Sequence, residues 1–273
     1  MPILKSAKLG SSSSSPGAFP FSGEYSVARR KMVEELRLRG IRDERVLEVM
    51  GKIPRHRFVE EALISQAYQD TSLHIGFGQT ISQPYTVAIL AQSLHLRGHE
   101  SILEIGTGCG YQTAILACLA KQIYSIERLH SLILKARSNL KRLHIKNVIL
   151  KYGDGSQGWQ QYAPFDSIVA AAVSPQIPQP LLHQLLEGGR LVVPIQREEK
   201  QNLLCIVRKG DEYHEQILES CRFVKMVGKH AFHDQAHESH KKEVHSGRKI
   251  FRPHSSNRRG QELPLPNRRR GHP

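Results

Sequence analysis

The stretch SILEIGTGCGYQTAILACLA, residues 101–120, constrains the fold most tightly. A short β-rich run leads into three glycines at alternate positions, Gly106, Gly108 and Gly110, and then into an apolar run of helical length. That order predicts a strand, a tight turn and a helix. Glycines in such a turn permit positive φ and let a ligand approach the backbone closely.

The same alternation continues downstream. QIYSIE predicts a second strand, NVILKYGD a third and FDSIVAAAV a fourth, with GRLVVPI and NLLCIVRK as further strands. Between them, Leu129, Leu132, Ile133, Ala136, Leu140 and Leu143 recur at helical spacing, and PQPLLHQLL predicts a helix stopped by Gly188-Gly189. Repeated strand–helix–strand units predict an α/β fold with a doubly wound, mostly parallel sheet and helices on both faces. An N-terminal helical segment precedes it. ARRKMVEELRLR ends at Gly40, and DERVLEVMGKI starts from an Asp43 cap. PYTVAILAQSLHL reads as an apolar helix led by Pro84.

The glycine turn also narrows the ligand. A nicotinamide fingerprint needs its third glycine at position 111, where this chain has Tyr111. The spacing is instead E-x-G-x-G-x-G, beginning at Glu104. A pyrophosphate favours free backbone N–H groups and no carboxylate beside them, whereas a cofactor carrying an ammonium group tolerates an acid there. The pattern favours S-adenosyl-L-methionine. Glu127 ends the second strand, 23 residues on, where an acid accepts from both ribose hydroxyls. Asp154, in Gly153-Asp154-Gly155 at the third strand end, is within reach of the adenine amine on this reading.

The composition bounds the rest. Hydrophobic content of 39% and charged content of 23% suit a globular body with polar flanks. The expected organisation is a Ser-rich unstructured leader over 1–23, one globular domain over 24–232 and a basic His/Arg-rich unstructured tail over 233–273. An organellar transit peptide is the alternative for the leader, which has no apolar core of the secretory kind. The net charge of +14 first suggests nucleic acid, but residues 229–273 carry 11 Lys/Arg against 4 Asp/Glu, half of that excess. The tail lacks interleaved aromatics, so nucleic acid is expected to be contacted at most non-specifically through it. His230, His233, His237, His240 and His245 read as a solvated series with no metal expected, although His233 and His237 are four apart, as a helical metal site requires. Cys109, Cys118, Cys205 and Cys221 show no CxxC spacing, which suits a reducing, cytoplasmic location. No apolar run approaches the roughly 20 residues of a membrane span, and nothing in the helices calls for assembly beyond a monomer.

The motifs GQTISQPY, LEIGTGCGYQTAILA, YSIERL, GDG, APFDSI and LLEGGRLVVPI, spread over about residues 26–224, resemble the bacterial-type protein-L-isoaspartate O-methyltransferases. The resemblance implies a Rossmann-like methyltransferase sheet using S-adenosyl-L-methionine. It implies methyl transfer to the α-carboxyl of L-isoaspartyl residues in damaged proteins and peptides, which starts repair through a succinimide. It also implies that Gln79, Thr80, Ile81 and Ser82 form a loop touching cofactor and substrate, with Ser82 the catalytic position. Glu104, Gly106, Gly108, Gly110, Glu127, Asp154 and Gly155 then take the cofactor. A free carboxylate is already ionised at neutral pH, so Ser82 is expected to orient it, not to act as a nucleophile. Capping of the Pro84 helix is the plainer role for Ser82. Gly76 and Gly78 would hinge the loop as a lid.

The chain departs from the family's pattern mostly on the substrate side. AAAVSPQIP follows the fourth strand, with Ala171, Val173 and Ser174 in the variable places of the Ala170–Ser174 wall, and Lys225-Met226 stands where Pro-Leu is usual. Cys109 replaces a usual Ser in the glycine loop. Two other readings of the residues stay open: a nucleic-acid methyltransferase on this fold, and a cofactor-binding homologue with lost or altered peptide activity.

Overall fold

A computed structural model describes residue 23 and residues 25–233 of the 273-residue chain. The expected leader and tail, including His237, His240 and His245, lie outside the described residues except at Gly23 and His233.

The chain opens with α1 (Ser26–Leu38) and α2 (Glu44–Lys52). Gly40, at φ +100°, turns the chain just after α1. The Asp43 carboxylate caps α2, accepting from the backbone N–H of Arg45 at 3.0 Å and of Val46 at 3.3 Å. Such a cap contributes about 1 kcal/mol. Next comes a hairpin of β1 (Leu73–Gly76) and β2 (Gln79–Ile81), then α3 (Pro84–Ser93). Pro84 begins that helix, where its missing N–H costs nothing.

The central unit alternates. It runs β3 (Ser101–Ile105), α4 (Tyr111–Leu119), β4 (Gln122–Glu127), α5 (His130–Arg142), β5 (Val148–Tyr152), β6 (Phe165–Ala170), α6 (Gln179–His183), β7 (Leu185–Arg197), β8 (Lys200–Lys209) and β9 (Glu212–Ser220). The seven long strands form one sheet in the order β5-β4-β3-β6-β7-β8-β9. Pairing is parallel from β5 to β7, and β8 and β9 each pair antiparallel with the strand before. The chain therefore winds outward from β3 to β5 and then returns to β6 on the other side of β3. At that reversal the loops after β3 and β6 diverge and leave a crevice at the strands' carboxyl ends.

Side chains alternate across the sheet, and two cores result. Ile102, Val169, Val192, Leu203 and Cys205 point into one, which α1 through α5 cover. Leu103, Ile105, Ile168, Leu191, Val193, Leu204 and Ile206 point into the other, beneath α6, Trp159 and Phe165. On α5, Leu132, Ile133, Ala136 and Leu140 are buried, as their spacing requires.

Three segments differ from their sequence expectation. The helix expected to run to Gly188 stops at His183, and Leu185 already pairs with Phe165 in the sheet. Gly188 and Gly189 form a bulge inside β7, where a Cβ on Gly189 would lie 2.8 Å from the Leu186 carbonyl oxygen. β9 was not expected from EYHEQILES, a polar edge strand with little apolar alternation. The glycine-hinged loop is instead the β1–β2 hairpin, pinned by buried Ile75 and Ile81, and its glycines form the turn at φ +93° and +67°.

Candidate active site

A cleft partly open to solvent lies at the carboxyl ends of β3, β4 and β6. Gln79, Thr80, Ile81 and Ser82 line one side. Gly106, Gly108, Glu127 and Gly155 line the floor, and Ala171, Ala172 and Val224–Val227 the facing wall. The structure thus gathers eight of the eleven expected site residues around one cavity.

Glu127 ends β4 and is 6% exposed. Its carboxylate accepts the backbone N–H of Gly108 at 2.9 Å and of Leu129 at 3.0 Å. These bonds fix the acid against the glycine loop, and each oxygen retains a lone pair for a further donor. Gly106 at φ +94° and Gly108 at φ +55° hold the turn in a backbone region unfavourable for side chains. Gly155 packs so tightly on β3 that a Cβ there would lie 2.4 Å from Ile105. The floor next to Ile105, Ile126 and Leu132 is therefore smooth and apolar, which suits a flat heterocycle.

Glu104, Gly110 and Asp154 are not in the lining. Glu104 was expected to face the cofactor's ammonium group; instead it is 0% exposed beneath the glycine loop. It accepts from the hydroxyls of Thr113 and Ser125, both at 2.6 Å, and from Gln112 Nε2 at 3.1 Å. The Ser125 proton is committed there, so Thr107 donates to Ser125, 2.6 Å away. Burial raises the Glu104 carboxyl to about pH 7, against the lowering effect of its three donors. The acid organises the loop from below. Gly110 is the N-cap of α4, at φ +88°, and a Cβ there would meet Ala136 of α5 at 3.3 Å. Its smallness serves the α4–α5 packing.

Asp154 was expected at the adenine. Its carboxylate instead accepts from Ser156 N–H and Oγ at 2.9 and 2.7 Å, Gln157 Nε2 at 3.1 Å and the backbone N–H of Lys229 at 2.7 Å. Burial opposes ionisation, but these donors hold the carboxyl below its usual range. Asp154 thereby ties down the segment that follows Val224–Val227. That segment is itself fastened to the wall: Val173 N–H donates to Val224 at 2.8 Å, and Met226 N–H to Val173 at 2.7 Å.

Ser82 is half-buried and lines the cavity. The N-cap of α3 is Gln83, with no side-chain cap bond, so Ser82 does not cap that helix. Asp70 does the capping, accepting from Tyr85 N–H at 2.8 Å. Among the described residues no group hydrogen-bonds the Ser82 hydroxyl, while its carbonyl accepts from Arg55 Nη2 at 2.7 Å. Sequence reasoning missed Tyr111 and Gln112, which also line the cavity. Gln112 Oε1 is buried without a protein partner, which suits a ligand bringing polar groups of its own, whereas the Tyr111 hydroxyl interacts with the Arg55 guanidinium. The donor set fits a nucleoside carrying an ammonium and a carboxylate group: a fixed acid, close backbone and an apolar floor. Among the described residues no cluster could hold a metal ion, and no helix is long and apolar enough to cross a membrane.

Known proteins resemble this chain in sequence and fold. A family model described as protein-L-isoaspartate(D-aspartate) O-methyltransferase matches residues 27–231. A protein-L-isoaspartate O-methyltransferase from Dictyoglomus thermophilum is 47% identical over 211 residues, 77% of this chain and 96% of the relative. One from Syntrophobacter fumaroxidans is 52% identical over 206 residues, 75% of this chain and 96% of the relative. Among solved structures, a protein-L-isoaspartate O-methyltransferase superposes with a TM-score of 0.68 at 28% identity, covering 74% of this chain and 67% of that one. A Plasmodium falciparum protein described with the same activity, solved with S-adenosyl-L-homocysteine, gives 0.64 at 25% identity, covering 74% of this chain and 99% of that one.

Proposed function

The chain belongs to the protein-L-isoaspartate(D-aspartate) O-methyltransferase family, and we propose that Ser82 is the residue that orients the accepting carboxylate in its reaction. The enzyme methylates the α-carboxyl of L-isoaspartyl residues in proteins and peptides, using S-adenosyl-L-methionine, which supplies an electrophilic methyl group on a sulfonium. When bound, the cofactor would give that methyl carbon to a carboxylate oxygen and keep the carbon–sulfur electron pair as a neutral thioether. The methyl ester then closes to a succinimide with loss of methanol.

The acceptor is ionised at neutral pH, so the chain's own residues have no proton to remove. Their task is alignment and exclusion of water. The single observation carrying the Ser82 reading is a cavity-lining hydroxyl free of protein partners, on a backbone held by Arg55. Such a hydroxyl can donate to a carboxylate in a charge-assisted bond. Glu127 is the residue we assign to the ribose hydroxyls; its lining position and fixed orientation support that role. Gly106, Gly108 and Gly155 admit the cofactor by lacking side chains, and Gln79, Thr80 and Ile81 of the pinned hairpin border it. Glu104, Gly110 and Asp154 act beneath or beside the cavity, through the loop and wall they hold.

We further read the enzyme as a cytoplasmic monomer that meets nucleic acid at most non-specifically. The four free cysteines and the mildly basic body support this. Ser82→Ala tests the central assignment. Turnover on an isoaspartyl peptide is expected to fall about ten- to hundredfold, the worth of one hydrogen bond to a charged group. Affinity for S-adenosyl-L-homocysteine, measured by calorimetry, should stay within about twofold. Unchanged turnover would remove Ser82 from the mechanism.

A further inference from the structure

Arg55 follows Pro54 in the turn after α2 and is 0% exposed. Among the described residues no acid lies within ion-pairing distance of it. Its guanidinium instead serves loop carbonyls that no helix or sheet satisfies. Nε donates to Ala67 at 2.8 Å and Nη2 donates to Ser82 at 2.7 Å, with Thr71 at 3.5 Å. The Tyr111 ring stacks beneath it, 4.8 Å from the guanidinium carbon. Nη1 has no hydrogen bond.

A buried cation with no contacting acid costs folding free energy, and residues of apolar character would fill the same space more cheaply. Its geometry indicates what the site gains. The Ser82 carbonyl sits one residue before the N-cap of α3, outside the helix ladder. Without a side-chain donor it would be an unpaired acceptor, free to rotate with its peptide plane. A guanidinium has donors in a planar fork, so one side chain can bind Ala67 and Ser82 together.

We propose that Arg55 is a positioning residue for methyl transfer. By fixing the Ser82 carbonyl it sets the direction of the Ser82 hydroxyl into the cavity, and its charge beneath the loop, which Asp70 faces without an ion pair, favours an anionic acceptor there. This inference rests on the Ser82 reading above. Lining that cavity, Tyr111 joins Arg55 to the cofactor turn, so the loop and the turn share one support.

The test compares Arg55→Met and Arg55→Lys with the wild type. Three quantities are read: kcat and KM for an isoaspartyl peptide, affinity for S-adenosyl-L-homocysteine, and amide hydrogen exchange over residues 79–83. For Arg55→Met, kcat is expected to fall about ten- to hundredfold, as for an ångström-scale misplacement. KM for the peptide should rise, cofactor affinity should stay within about threefold, and exchange over 79–83 should quicken while α5 keeps its protection. Lysine retains the charge but offers one donor point, so it should restore KM more than kcat. Unchanged kcat and exchange in a folded variant would overturn the proposal. So would a parallel loss of cofactor affinity and α5 protection, which marks a merely structural role. If Arg55→Met does not fold, Arg55→Lys is judged by the same criteria. If the wild type fails to methylate the peptide, the Ser82 reading falls, and loop exchange alone decides whether Arg55 fixes this segment.

Discussion

Two polar side chains illustrate opposite uses of burial. Glu104 is sealed under the glycine loop with three side-chain donors, whereas Ser82 lines the cavity and its hydroxyl has no partner among the described residues. The environment of Glu104 has a consequence for pH. An exposed glutamate releases its proton near 4.5, while burial keeps the folded carboxyl protonated to about 7. The folded state therefore binds the extra proton between those values, and stability from this group is full below the lower one and lost as pH rises to the upper one. Glu104→Gln is neutral throughout, so it lacks this contribution. The wild-type melting temperature should fall more steeply from pH 5 to pH 8 than that of Glu104→Gln; equal slopes would show that Glu104 does not titrate in that window. Motif spacing found Glu104 but not its role, because spacing reports the strand end and not the side on which the carboxylate lies. Arg55 and Tyr111 were harder still: their partners are the Ser82 carbonyl and each other, and only the fold brings them together.

At the scale of elements, β3 to β8 and α4 were legible as short apolar runs bounded by turns, and α5 by apolar residues at helical spacing. The β1–β2 hairpin and β9 were not, since short or polar edge strands carry too few alternating positions. The overrun of α6 has a different cause. Leu185 and Leu186 suit helix and strand alike, and only the glycine bulge against β6 decides. The segment after β9 shows how elements share a site. Val173 bridges to Lys225, and Asp154 holds Lys229, so the wall depends on an acid outside the lining. Asp154→Ala should accelerate exchange over residues 224–230 and weaken S-adenosyl-L-homocysteine binding severalfold through the loosened wall. Weakened binding with unchanged exchange would instead mark Asp154 as a direct cofactor contact.

For the molecule as a whole, the sheet explains why chemistry gathers where it does. β3 and β6 lie side by side while the chain winds away from β3 and returns, so three strand ends and the hairpin converge on one crevice. Both faces of the sheet are packed, and the cavity inherits a rigid floor. The net charge of +14 does not describe this crevice, since half of the excess lies in residues 229–273. The departures at Ala171, Val173, Ser174 and Lys225-Met226 cluster on the facing wall or its strand partner, while Cys109 lies in the glycine loop across the same cavity. The central claim is methyl transfer to an isoaspartyl carboxylate in this crevice. Its most direct test is incubation with methyl-labelled S-adenosyl-L-methionine and, separately, an isoaspartyl peptide, its aspartyl twin and an RNA. Label should appear only on the isoaspartyl peptide and be released by mild base, as a methyl ester requires. Label on RNA, equal label on both peptides, or binding of the cofactor with no transfer would contradict it.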